Sequence, residues 1–166
     1  LLISPLLWLG LTAGASGQSN SIDIKSPVCK TISLPYLIGE VALSLGNQQV
    51  IEKMMPCFLR LWEEQIPSVG STNIELSNTF VSVMEENPQA FFSAVAAEPK
   101  VFSQWLHYLP KVSFTSAQSP ACALEAKRKQ LIYLLQNANV VGKTEQELRK
   151  SVVARLSTMP SNKNCP

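Results

Sequence analysis

The sequence predicts an all-α fold: a compact irregular bundle of about seven short helices, punctuated by proline and stapled by two disulfides. Three observations lead there. Apolar residues recur at i, i+3, i+4 and i+7 along much of the chain after residue 33, the period of a helix with one buried face. Prolines open several of these stripes behind Ser, Asn or Glu, where a missing N–H is not needed and φ is already helical. No run alternates long enough to pair as a strand; Val112-Ser113-Phe114-Thr115 alternates alone, with no partner.

The chain opens on an uncharged apolar run, Leu1–Leu11, followed by Ala13-Gly14-Ala15. The run has the length of a signal-peptide core, and the small residues fit its cleavage pattern. We expect residues 1–15 to be an export leader, truncated at its start, with Ser16 as the first mature residue. No Cys follows the cleavage pattern closely, which argues against a lipid-anchored cysteine. A residual hydrophobic anchor is the alternative, although the run is short for a membrane span. Residues 16–32 are polar and aperiodic, and are expected to be a flexible arm pinned near its end by Cys29. One helical domain is expected over 33–160, with a tail at 161–166.

Taken in order, Ser33 and Pro35 start a helix with Tyr36, Leu37, Val41 and Leu45 on one side, ended by Gly46. Asn47 can cap the next, Gln48 to about Gln65, whose stripe is Val50, Ile51, Met54, Phe58, Leu61 and Trp62. Pro56 falls inside it and is expected to kink or split it. Pro67–Asn73 is the clearest internal loop, and Ile74–Glu86 a further helix. The stretch Glu86–Pro110 then holds five of the twelve aromatic residues: Phe91, Phe92, Phe102, Trp105 and Tyr108. Within it Asn87-Pro88 and Glu98-Pro99 are each followed by a Phe three residues after the proline. This echo punctuates Pro88–Ala97 and Pro99–Leu109 as separate helices, with Pro110 closing the series. Their aromatics are expected to form the hub of the core. Lys111–Ser119 is irregular. A helix from Pro120 to about Ala138 follows, then a turn at Asn139–Lys143. Thr144 and Glu147 have capping-box spacing for a last helix carrying Leu148, Val152, Leu156 and Met159, which Pro160 closes.

Four cysteines behind an export leader imply two disulfides. Three pairings are open, and Cys29–Cys57 with Cys122–Cys165 is favoured, because each ties an irregular segment to a nearby helix. A zinc site is disfavoured: there is no CxxC and a single histidine. Charge is split along the chain. Residues 16–110 hold five basic and nine acidic residues, and residues 111–166 hold nine basic and three acidic ones. A basic face for an acidic partner or an anionic membrane surface is one consequence. The densest basic run, Lys127-Arg128-Lys129, is too small to point to nucleic acid.

Chemical signatures are sparse. No hydrolase elbow, zincin, dinucleotide or Walker motif occurs. His107 is the lone histidine and Asp23 the lone aspartate. Glu63-Glu64 and Glu85-Glu86 are paired in sequence, but neighbours on a helix point about 100° apart and form no catalytic dyad by themselves. The expectation is a non-enzymatic, periplasmic or secreted protein that binds another macromolecule, a protein rather than nucleic acid. Inhibitor, immunity and adaptor proteins are of that kind. No cofactor and no stable membrane span after leader removal are expected. The first surfaces to inspect are the neighbourhood of Trp62 with the Pro67–Asn73 loop, and the basic run Lys127, Arg128 and Lys129. Two alternatives stand beside it. A carrier would hold an apolar molecule among Phe91, Phe92, Phe102 and Trp105. A Glu-dependent hydrolase would need a buried glutamate of raised pKa in a cleft.

Overall fold

The computed structural model describes residues 29, 33–65, 71–114, 120–161 and 165. The expected leader, nearly all of the arm and most of the tail lie outside the described residues. Within them are seven helices and no strand: α1 (Leu34–Leu43), α2 (Gln48–Gln65), α3 (Ser71–Glu86), α4 (Pro88–Ala96), α5 (Pro99–Val112), α6 (Ala121–Asn137) and α7 (Lys143–Ser157). Proline stands in the first turn of α1, α4 and α5. Asn87 caps α4, its side chain accepting from the Ala90 N–H at 3.2 Å, and Asn47 accepts from the Val50 N–H at 3.3 Å. Both expected disulfides are formed, Cys29–Cys57 and Cys122–Cys165.

Several boundaries differ from expectation. α2 runs unbroken through Pro56. Met55, Cys57, Phe58, Leu59 and Trp62 are buried around the proline, and that burial outweighs one lost backbone hydrogen bond. α3 begins at Ser71, so the end of the expected 67–73 loop is helical. Asn73 is buried there, its amide donating to the Gln65 carbonyl at 3.2 Å. α5 continues past Pro110 to Val112. The proline leaves the Leu106 carbonyl without its helical partner. Arg155 of α7 replaces it, donating to Leu106 O at 3.3 Å and to His107 O at 3.1 Å. The Thr144–Glu147 capping box is not formed. Gly142, at φ +99°, is the N-cap, and α7 starts one residue ahead of Thr144.

α4 has only nine residues, yet it touches α2, α3, α5 and α7. Ala90, Phe91, Phe92 and Val95 fill that junction. The aromatic centre is nevertheless Phe80 of α3. Its ring lies 6.3 Å from Phe58, 6.3 Å from Trp62, 6.0 Å from Phe91 and 5.6 Å from Trp105, mostly edge to face, the arrangement that ring quadrupoles favour. The Trp105 indole N–H donates to Ser77 Oγ at 2.8 Å, and that hydroxyl also bonds Ser113 Oγ, so these buried polar atoms are satisfied. α6 is more peripheral, packing on α3 and α7. Arg149 of α7 closes the end of α6, donating to Leu135 O at 3.1 Å and Ala138 O at 2.6 Å.

Candidate functional site

The break between α3 and α4 creates the most distinctive surface. α3 ends at Glu86 because Pro88 biases Asn87 away from helical ψ. Asn87 then turns the chain and caps α4. This leaves Glu85 and Glu86 at the C-terminal end of one helix, beside Pro88 and Gln89 at the start of the next. The second half of α6 lies opposite, followed by the segment leading into α7. Between them runs an open groove of about 580 Å3, lined by these residues with Gln130, Tyr133, Leu134 and Asn137–Asn139.

The groove walls are held by hydrogen bonds between side chains and backbone. Gln89 Oε1 accepts from the Val141 N–H at 2.7 Å, tying the start of α4 to the segment after α6. Asn137 donates to Tyr133 O at 2.7 Å. Two large apolar side chains are left in solvent here, Tyr133 at 71% exposure and Val141 at 67%. The other such pair among the described residues, Tyr36 and Leu43, belongs to α1.

Glu85 is half-buried, with Lys127 Nζ at 3.7 Å. Burial pushes its carboxyl above the usual carboxylate range. Lys127 pulls it back by its charge and a hydrogen bond, and the neighbouring Glu86 charge adds to the rise. A half-buried carboxylate in a groove is thus present. Its neighbour Glu86 is adjacent on the same helix and does not face it as a catalytic partner. The remaining lining consists of amides, apolar groups and one phenol, with no nucleophile–base pair among them.

Of the surface and charged residues singled out in the sequence, Lys127 and the Glu85–Glu86 pair are brought together and the rest are not. Trp62 is 1% exposed and packs against Phe80 and Tyr108. Its expected surface role is corrected: α2 is covered by α1, α3, α4 and α5, so more than one of its faces is core. The Pro67–Asn73 loop is described only from residue 71. Lys127, Arg128 and Lys129 do not form one face either, because consecutive helical residues diverge by about 100°. Lys127 turns to Glu85, and Lys129 is exposed. Arg128 is 5% exposed, against Glu125 at 2.6 Å, with further bonds to Leu156 O and Ser161 Oγ. Its hydrogen bond holds the Glu125 carboxyl below the usual range, against the opposing effect of burial. The only sequence signal for this buried pair is its i, i+3 spacing. His107 and the pair Glu63–Glu64 are exposed. Among the described residues, no group of three or more His, Cys, Asp or Glu could hold a metal ion. No described helix is long and apolar enough to cross a membrane.

The rings named for a carrier cavity, Phe91, Phe92, Phe102 and Trp105, are each at most 3% exposed. Phe92 packs on Phe91, and Phe91 and Phe102 both pack on Trp105, at 5.2 to 5.9 Å between ring centroids. No family model, curated protein or solved structure matches this chain.

Proposed function

We propose that this chain is an exported helical protein that acts by binding another protein, with the α3–α4/α6 groove as its docking surface. The observation that carries this reading is the open groove with Tyr133 and Val141 standing in solvent at its side. Exposed aromatic and aliphatic groups beside a concave surface are characteristic of protein contacts. Disulfides are compatible with an oxidising compartment outside the cytosol. The packed aromatic centre favours binding at the surface over carriage of an apolar molecule within.

A photo-crosslinking residue at Tyr133, expressed in the source cell, tests the reading. A defined protein crosslinked from the exported fraction at position 133, and absent with the same probe at exposed Lys53, is the expected result. Capture of nothing at Tyr133, or equal capture at both positions, overturns it. The second reading, a Glu-dependent hydrolase, is favoured only by the raised Glu85 carboxyl. It requires glycoside or ester hydrolysis that Glu85→Gln abolishes.

A further inference from the structure

We propose that the groove docks an extended protein segment through a basic side chain with apolar neighbours, whose cationic head meets Glu85 and Glu86 while its aliphatic stem lies along Pro88, Leu134 and Tyr133. This rests on the docking role just argued and specifies the partner's chemistry. It also reverses the sign of the partner suggested by the basic run at Lys127–Lys129, since Arg128, at the centre of that run, is buried against Glu125.

Charge complementarity is the first argument. The lining carries two carboxylates and no cationic residue. Lys127, which reaches Glu85 from outside the lining, stands off at 3.7 Å with its side chain 42% exposed. A pair of that kind is weak and readily exchanged. Glu86 is exposed, and among the described residues no ion pair reaches it. An incoming guanidinium can engage one carboxylate with its planar fork while the charge of the other adds to the field.

The backbone field supplies the second argument. α3 ends at Glu86 with no basic residue in its last turn, so the negative end of its dipole adds to the two carboxylates. The positive end of α4 lies beside it, but the Asn87 side chain already engages the Ala90 N–H there. The end of α6 contributes less, since Arg149 holds its last carbonyls. The remaining surface suits the stem: Pro88, Leu134, Ala138 and the Tyr133 ring are apolar, and an aromatic face attracts a cation that passes over it. Several amides cannot reorganise freely around a ligand, because Asn87, Gln89 and Asn137 already hold backbone groups.

The test uses the intact oxidised chain and fluorescent nonapeptide pools. The central position is fixed in turn as Arg, Lys, norleucine or Glu, and the flanks are randomised over Leu, Pro, Ser and Tyr. Anisotropy should show the Arg and Lys pools binding on the order of tenfold tighter than the norleucine pool, with the Glu pool weaker still. Glu86→Gln should cost the Arg pool about threefold or more. Glu63→Gln removes the same charge from an exposed site outside the groove and should leave binding unchanged. Both positions are exposed, so circular dichroism should report folded protein for each variant. Equal binding of all pools, binding of none, or equal losses in E86Q and E63Q overturn the proposal. The docking role fails separately. If the Tyr133 crosslink lands on a neutral or acidic segment of a partner, docking stands and the basic-segment assignment is wrong.

Discussion

At the scale of single residues, arginines of α7 do structural work that their charge alone would not suggest. Pro110 removes the N–H that would bond Leu106 O, and Arg155 reaches from a different helix to supply a donor. An unsatisfied, partly buried carbonyl costs about 1–3 kcal/mol. Arg155→Met keeps the aliphatic stem and should lower unfolding free energy by about that amount. In a Pro110→Ala background the loss should shrink, because the restored N–H takes Leu106 O itself. Urea unfolding of the four proteins in this double-mutant cycle measures the coupling, and strict additivity would show that Arg155 does not compensate for Pro110. Arg128 is the opposite case. It looks like part of a basic patch in the sequence and is an internal ion pair in the fold.

At the scale of elements, helix ends decide where the groove lies. The Asn-Pro pair stops α3 and starts α4 within two residues, which leaves the acidic end of one helix against the start of the next. The entry to α7, just past the groove, turns at Gly142. Its φ of +99° is rarely adopted by L side chains, and a Cβ there would clash with the Glu145 carboxylate. Gly142→Ala should therefore destabilise the protein by about 1–3 kcal/mol. Most of that loss should remain in a Glu145→Ala background, since the side chain can move aside while the backbone angle cannot. Full recovery in the double variant, by thermal or urea unfolding, would assign the cost to the clash instead. The sequence placed the start of α7 at Thr144 because capping-box spacing is a strong local signal. A left-handed glycine two residues earlier gave the chain a different entry.

At the scale of the whole molecule, two staples with different exposure hold the bundle. Cys29 and Cys57 are fully buried, whereas Cys122 and Cys165 are half-exposed. The bridges span 28 and 43 residues, and closing loops of those lengths stabilises the native state by about 4 kcal/mol each in the chain-entropy description. Thiol exchange needs access to a sulfur. Limiting dithiol reductant under native conditions should therefore open Cys122–Cys165 on the order of tenfold faster than Cys29–Cys57. Alkylation followed by peptide mapping reads the order directly. Simultaneous opening of both bridges would mean that reduction proceeds only through global unfolding. The aromatic centre adds a non-covalent tie: Phe80 joins α3 to α2, α4 and α5 through ring contacts.

Much of the architecture was legible from local rules. Apolar periodicity gives helices, Asn and Pro mark their starts, and tying each irregular segment to a nearby helix favours the two bridges that form. The helices and their starts depend on residues within a turn or two of one another, and the bridges on which irregular segment lies near which helix. Four of the five Glu86–Pro110 aromatics lie in the core and Tyr108 is half-buried at its edge, but the ring at the centre is Phe80, just ahead of that stretch. Periodicity reveals that a helix has a buried face, yet not how many neighbours cover it, so Trp62 could be located only once α2 was seen among four other helices. The groove was beyond local reading for the same reason. It joins residues 85–89 to residues 130–139 across the chain, and only the packing of α6 on α3 sets a carboxylate pair opposite an exposed tyrosine.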